Sequence, residues 1–145
     1  MKNFLLLHED QAQSTVQSLG ALTQIMTASK AHQTRDMAYF RHVINSLLAH
    51  DQIVILYNAR KEAVAYYCWA FLAPDVEKRV ISTGQWNLHI SEWNEGTSLW
   101  LVDLAAPFGH INMVVRNMKQ RFITQPRIRY GRIQATRYVV REIQK

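Results

Sequence analysis

Apolar side chains recur at Val16, Leu19, Leu22, Ile25 and Met26, and again at Met37, Phe40, Ile44, Leu47 and Leu48. The three-to-four spacing puts each set on one face of a helix, so two amphipathic helices are expected. The pattern then changes. Ile53 to Tyr57 is a short apolar run, Asn58-Ala-Arg-Lys61 is polar, and Ala63 to Leu72 is apolar again, which predicts two strands in an antiparallel hairpin. Leu99 to Ala106 predicts a third strand, and Ile111, Val114, Val115, Met118 and Phe122 line another helix. Arg127 to Ile133 and Tyr138 to Ile143 read as short basic strands. The element order is that of an α+β fold, with no internal repeat and no low-complexity linker.

At 145 residues and 48% hydrophobic content, residues 1–145 are expected to form a single domain with a sizeable core. No apolar run approaches the ~20 residues needed to cross a bilayer. Leu5-Leu6-Leu7 is too short for the core of a signal peptide and is followed by Glu9 and Asp10, so no membrane span and a cytoplasmic location are expected. The single cysteine, Cys68, excludes an internal disulfide and a cysteine-rich zinc site. Its place in an apolar segment suits a small buried hydrophobe better than a nucleophile. Charge is uneven: residues 1–112 carry eight Lys+Arg and ten Asp+Glu, whereas the basic C-terminal third, 113–145, carries nine Lys+Arg and only Glu142.

Asp103 stands inside the third apolar strand, which ends at Pro107-Phe108-Gly109. A carboxylate there is costly to bury unless paired, so it has either a structural partner such as an arginine or a chemical role. Six histidines, His8, His32, His42, His50, His89 and His110, could serve as bases. His32 and His42 are too far apart for metal ligands on adjacent helical turns, and Cys-x-x-Cys and Gly-x-Ser-x-Gly are both absent. The basic third suits an acidic partner or, with Tyr130 and Tyr138 interleaved, a phosphate backbone; a merely solvated face fits the same pattern. It carries no nucleic-acid-binding motif, and nucleic acid is not the expected partner.

The stretch Trp93-Asn-Glu-Gly96-Thr-Ser-Leu-Trp100-Leu-Val-Asp103-Leu-Ala-Ala-Pro107-Phe108-Gly109 resembles the segment around the catalytic Asp of the RTX toxin-activating lysine acyltransferases, the hemolysin-activating family. Ala63-Val-Ala-Tyr-Tyr-Cys-Trp69-Ala70 is similar to that family's V-A-Y-C-S-W-A strand, and Ser29-Lys-Ala-His32 to its S-P-x-H histidine motif. The resemblance covers roughly residues 15 to 140. The family's Pro before the histidine is replaced by Lys30-Ala31, its Cys-Ser pair by Tyr67-Cys68, and the Trp after its Asp by Leu104. The chain is expected to stop before the family's extra C-terminal segment, as a divergent short member.

The resemblance implies a Gcn5-related acetyltransferase-like fold, a central mostly antiparallel sheet flanked by helices. In that fold a glycine-rich loop holds coenzyme A pyrophosphate at a helix N-terminus. Pro107-Phe108-Gly109-His110, with one glycine, is poorly equipped for that task. The family instead takes its acyl group from acyl carrier protein, an acidic partner that Arg116, Lys119, Arg121, Arg127 and Arg129, followed by Arg132, would dock. No cofactor and no metal are expected. By resemblance His32 is the general base, or a transient acyl acceptor, and Asp103 orients its imidazole and stabilises the cation. Trp69, Trp93 and Trp100 are expected in the core, with an acyl-chain tunnel lined by them as an extension. The implied function is transfer of a fatty acyl group to an internal lysine of a co-produced RTX protoxin. A second branch of the family gives an alternative, ester attachment of a glycosylated siderophore to the C-terminal serine of a microcin precursor. A non-catalytic precursor-binding module is the third reading, and a homodimer or a partner biosynthetic enzyme would complete the list of partners.

Overall fold

The computed structural model describes residues 7–9 and 14–144. Leu5, Leu6 and Asp10, from the N-terminal run weighed above, lie outside the described residues. In chain order the elements are β1 (His8–Glu9), α1 (Thr15–Thr27), α2 (Met37–Tyr39), a π-helical segment (Phe40–Ile44), α3 (Asn45–Ala49), β2 (Ile53–Tyr57), β3 (Ala63–Leu72), α4 (Pro74–Thr83), a 3-10 segment (Ile90–Trp93), β4 (Ser98–Ala105), α5 (Ile111–Arg121), β5 (Arg129–Gln134) and β6 (Arg137–Glu142). The strands form one open sheet in the order β1-β2-β3-β4-β5-β6. β1 with β2 and β5 with β6 are antiparallel, and β4 with β5 is parallel, Trp100 opposite Arg129. The fold is α+β and Gcn5-related acetyltransferase-like, as expected.

Packing divides the chain into two compact units. The first takes the described residues among 1–35 together with 53–67 and 104–123. Its core joins Leu22, Ile25 and Met26 of α1 to the apolar run of β2, Tyr66 and Tyr67 of β3, and Val114 and Met118 of α5. Ser14 and Gln17 close a reciprocal capping box at the start of α1, which satisfies backbone N–H groups that the first turn cannot pair. The second unit takes 36–52, 68–103 and the described residues of 124–145. Ile44, Leu47, Cys68, Ala70, Leu72, Val76, Val80, Leu99 and Trp100 are buried in it. Trp69, Trp93 and Trp100 are core residues, as expected, and Trp86 stacks on Trp93 and stands edge-on to Trp100, with ring centroids 5.9 and 5.8 Å apart.

The second expected helix departs from its pattern. Between Phe40 and Ile44 the chain is π-helical, and the Asn45 N–H bonds the Phe40 carbonyl five residues back. One extra residue in the turn rotates everything before it relative to everything after it. Val43, Ile44 and Leu47 therefore face the core while Met37, expected on the same face, is 78% exposed. Tyr39 and Phe40, at the start of the π segment, are both half-buried.

Helix α4 lies in a segment where the apolar spacing predicted no element. It buries only Val76 and Val80, one turn apart. Its ends are nonetheless well marked by Pro74 in the first turn, acidic Asp75 and Glu77 after it, and Gly84 at the C-terminus with φ +66°. Gly96, from the motif around Asp103, has a packing role. Its N–H donates to the Phe71 carbonyl at 3.0 Å, and a Cβ there would overlap the Leu72–Ala73 backbone. Only glycine permits so close an approach.

Candidate functional site

His32 belongs to the first unit, in the turn that follows α1. Its N–H bonds the Ser29 carbonyl at 3.0 Å, and its own carbonyl accepts from the Arg35 N–H at 3.0 Å. The side chain is 6% exposed, with its ring edge-on to Tyr66 of β3 at 5.9 Å. Nδ1 lies 2.7 Å from the Ser29 hydroxyl. When that hydroxyl accepts the Nδ1 proton, Nε2 is the basic nitrogen. When the hydroxyl donates to Nδ1 instead, Nε2 carries the proton, so the contact between residues three apart is compatible with either tautomer.

Asp103 belongs to the second unit, on β4, and is half-buried. Its carboxylate accepts a hydrogen bond from the Tyr39 hydroxyl, 64 residues away in sequence. Its backbone carbonyl faces the Cys68 thiol on β3, Sγ to O 3.7 Å. Burial, reinforced by the nearby Asp103 charge, pushes that thiol well above the ordinary range. Cys68 is thus the buried small residue expected, and a thiol held protonated is a poor nucleophile.

The basic residues separate into engaged and open groups. In the first unit, Arg121 on α5 pairs with Glu9 and donates from Nε to the Tyr67 hydroxyl at 2.9 Å, while that hydroxyl donates to Asn117 at 2.7 Å. Arg116, Arg121, Asn117, Gln120 and Met113 of α5, with Leu7 and Glu9, line an open groove of about 660 Å³. Among the described residues Arg116 and Lys119 make no ion pair, and Arg116 is exposed. In the second unit, Arg127 and Arg129 converge on Glu142 at 3.5 and 3.8 Å, and Arg129 also pairs with Glu77 at 3.0 Å. Three of the five expected docking residues, Arg121, Arg127 and Arg129, are therefore ion-paired within their own units.

Glu77 is a hub that no sequence pattern announced. Its Oε1 accepts from the Ser98 hydroxyl, from Trp100 Nε1 at 2.8 Å and from Arg129 at 3.0 Å. Burial pushes the carboxyl up, but these hydrogen bonds and the Arg129 charge outweigh it and leave it below its ordinary value. A carboxyl depressed in the folded state stabilises the fold above its unfolded pKa and loses that contribution as pH falls through the folded one. Glu77→Gln is expected to cost about 1–3 kcal/mol at pH 7 and less at a pH below the lowered folded-state pKa, where the wild-type carboxyl is itself protonated. Urea denaturation of both proteins at the two pH values measures this; an equal difference at both would remove the charge from the explanation.

Among the described residues no group of three or more His, Cys, Asp or Glu side chains is placed to hold a metal ion, and no helix is long and apolar enough to cross a membrane. The turn at Pro107-Phe108-Gly109 has Gly109 at φ +91° and leads directly into α5.

Comparison with known proteins identifies the class. The model of the RTX toxin acyltransferase family matches residues 11–145, and the chain belongs to that family. Among its relatives, the RTX-II toxin-activating lysine-acyltransferase of Actinobacillus pleuropneumoniae is 28% identical over 104 residues, 72% of this chain and 64% of the relative. The RTX-III toxin-activating lysine-acyltransferase of the same organism is 31% identical over 106 residues, covering 72% and 60%. The protein-lysine myristoyltransferase of Kingella kingae is 27% identical over 104 residues, covering 72% and 61%. The chain thus spans about six-tenths of the length of these relatives.

Proposed function

We propose that this chain is a cytoplasmic protein acyltransferase that moves a fatty acyl group from acyl carrier protein to an internal lysine of a co-produced RTX protoxin. The observation that carries the proposal is the family match over 11–145, and the resemblance of Ser29-Lys-Ala-His32 and of the segment around Asp103 to the family's motifs supports it. Relatives named as toxin-activating lysine-acyltransferases and as a lysine myristoyltransferase support the acceptor class and a fatty acyl chain.

A lysine ammonium has no lone pair and must lose a proton before it attacks a thioester. In the proposed reaction His32 Nε2 takes that proton while Nδ1–H is held by the Ser29 hydroxyl. That proton passes on to solvent; as the amine nitrogen bonds to the thioester carbonyl carbon Nε2 takes a second proton from it, and as the carbon–sulfur bond breaks the imidazolium gives this proton to the departing thiolate. Amide and free carrier thiol are the products, with no net proton change across the acyl-transfer step from neutral amine. Asp103 supplies the negative charge that favours the imidazolium. Ser29→Ala should lower turnover by about fivefold, the size expected for loss of one orienting hydrogen bond near 1 kcal/mol, with carrier affinity unchanged.

The test of the function is direct. Purified protein, acylated carrier protein and the neighbouring toxin precursor are mixed and the products weighed. A precursor heavier by one acyl chain, with the modified residue mapped to lysine, supports the proposal; addition at a C-terminal serine, or no addition, rejects it.

Docking of the acidic carrier is assigned to the open basic residues. Arg116→Glu combined with Lys119→Glu is expected to weaken carrier binding by at least tenfold, and wild-type binding should weaken as salt is raised from low to physiological. Carrier titrations by calorimetry at two salt concentrations decide it, and salt-independent binding would point to an apolar contact.

A further inference from the structure

We infer that the outer edge of β6 and the basic face of the β5–β6 hairpin together form a docking site for an extended, acidic segment of a partner protein, taken up as a further strand of the sheet. The inference goes beyond the acyl-transfer reading, does not depend on it, and concerns the second unit alone.

Residues opposite each other in an antiparallel pair share a face, and successive pairs alternate between faces. Tyr130–Arg141, Arg132–Val139 and Gln134–Arg137 therefore share one face, and the pairs between them share the other. That other face is covered. The Tyr138 ring lies against Gly84, at the end of α4, and against Gly131, where an added Cβ would meet it. It also carries the hairpin's one acid, Glu142, which Arg127 and Arg129 already approach at 3.5 and 3.8 Å. The first face has no acid. Arg132, Arg137 and Arg141 are exposed on it, and among the described residues none of the three makes an ion pair. Arg141 reaches along the hairpin to Gln134 Oε1 at 3.3 Å, a neutral acceptor where a carboxylate would bond more strongly. Ala135 and Thr136, at φ +49° and +69°, close the hairpin in two residues, so the pairing runs unbroken to the tip.

The edge supplies the second half of the site. Just beyond the strands the Ile143 N–H donates to the Ile128 carbonyl at 2.9 Å, and bonded pairs alternate with non-bonded ones along an antiparallel ladder. Arg137, Val139 and Arg141 thus turn their backbone groups inward to β5, while Tyr138, Val140 and Glu142 turn theirs outward. β6 ends the strand order, so among the described residues no strand takes up these outward groups. Charges that blunt an edge repel an incoming strand. Here the charges on the open face are all of one sign, so they repel a second copy of the same strand, arginine against arginine, and attract an acidic one. Phosphate backbones and lipid headgroups match the charge but bring no ladder of N–H and C=O groups. An extended peptide with acids at alternate positions matches both the charge and the edge.

The experiment titrates the isotope-labelled full chain with a synthetic peptide alternating Glu with Thr and Val. The comparison probes are the same peptide with every backbone nitrogen methylated, a version with Lys for Glu, a DNA oligonucleotide and phosphatidylserine vesicles. The Glu peptide is expected to bind at least about tenfold more tightly than either altered peptide, to slow amide exchange at Tyr138, Val140 and Glu142, and to weaken as salt is raised. Arg137→Gln combined with Arg141→Gln should weaken it at least about tenfold. Val140→Pro keeps every arginine and the ladder to β5, because its N–H faces outward, and should weaken it comparably. Should that variant fail to fold, the methylated peptide makes the same test on the wild type. Equal binding of the methylated peptide overturns strand addition. Failure of the Glu peptide to bind overturns the site, as does tighter binding of the oligonucleotide or the vesicles that the arginine variant loses. Self-association of the chain that Val140→Pro abolishes would give the edge to a second copy and overturn the inference too.

Discussion

Replacing His32 by alanine is expected to abolish measurable acyl transfer, a loss of about 10²–10⁴ for the removal of a general base alone. The acceptor amine has no other route to a neutral form within the proposed chemistry, and Nδ1 is already committed to Ser29. Because the ring is buried against Tyr66, alanine leaves a small void and some loss of stability is expected with it. His32→Gln fills most of the space and can bond Ser29 but cannot take a proton at neutral pH. A folded His32→Gln protein, checked by circular dichroism and its melting temperature, that acylates lysine at the wild-type rate would end the assignment. Unfolding of both variants with activity proportional to the folded fraction would make His32 a structural residue.

What could be read along the chain, and what could not, follows from the range of the forces involved. β2 and β3 were legible because nearly every position of Ile53–Tyr57 and Ala63–Leu72 is buried, so the apolar runs are unbroken and bounded by a polar turn. Helix α5 was legible because Val114 and Met118 face the core while Arg116 and Lys119 do not. Helix α4 was not, since two buried valines make too narrow a stripe; its Pro74 and Gly84 end signals carried the information that apolar spacing lacked. The π insertion was invisible for a different reason. Spacing of apolar residues assumes 3.6 residues per turn, and Met37 fits that period while the chain leaves it.

The motif blocks single out His32 and Asp103 as candidates, and the side chains that touch them divide by distance along the chain. Ser29 lies three residues from His32 and stands in the same motif, so its contact was within reach of local reasoning. Tyr39 meets Asp103, and Glu77 meets Trp100 and Arg129, across separations that only the folded sheet closes. The basic third shows what a composition count leaves out. A count of arginines gives their charge but not their partners, and Arg121 and Arg129 are held by Glu9 and Glu77, acids from the less basic part of the chain.

Asp103→Asn separates charge from shape in the proposed pair. Asparagine has nearly the volume of aspartate, and its carbonyl oxygen can still accept the Tyr39 phenol, so β4 and the contact from α2 should survive the change. What is lost is the negative charge that favours the imidazolium formed as His32 takes the proton. The expected cost is on the order of 10² or more in turnover, by the general behaviour of Asp–His pairs, and Asp103→Ala should be no worse catalytically though less stable. Groups that act as one unit are strongly non-additive. Combining Asp103→Asn with His32→Ala is therefore expected to cost little beyond His32→Ala alone, because a base already removed cannot be further disoriented. Single-turnover rates for the four proteins, each confirmed folded, close the cycle. Multiplicative losses would mean that the two residues act independently, and an Asp103→Asn protein with wild-type turnover would leave Asp103 as a strand carboxylate held by Tyr39 for stability.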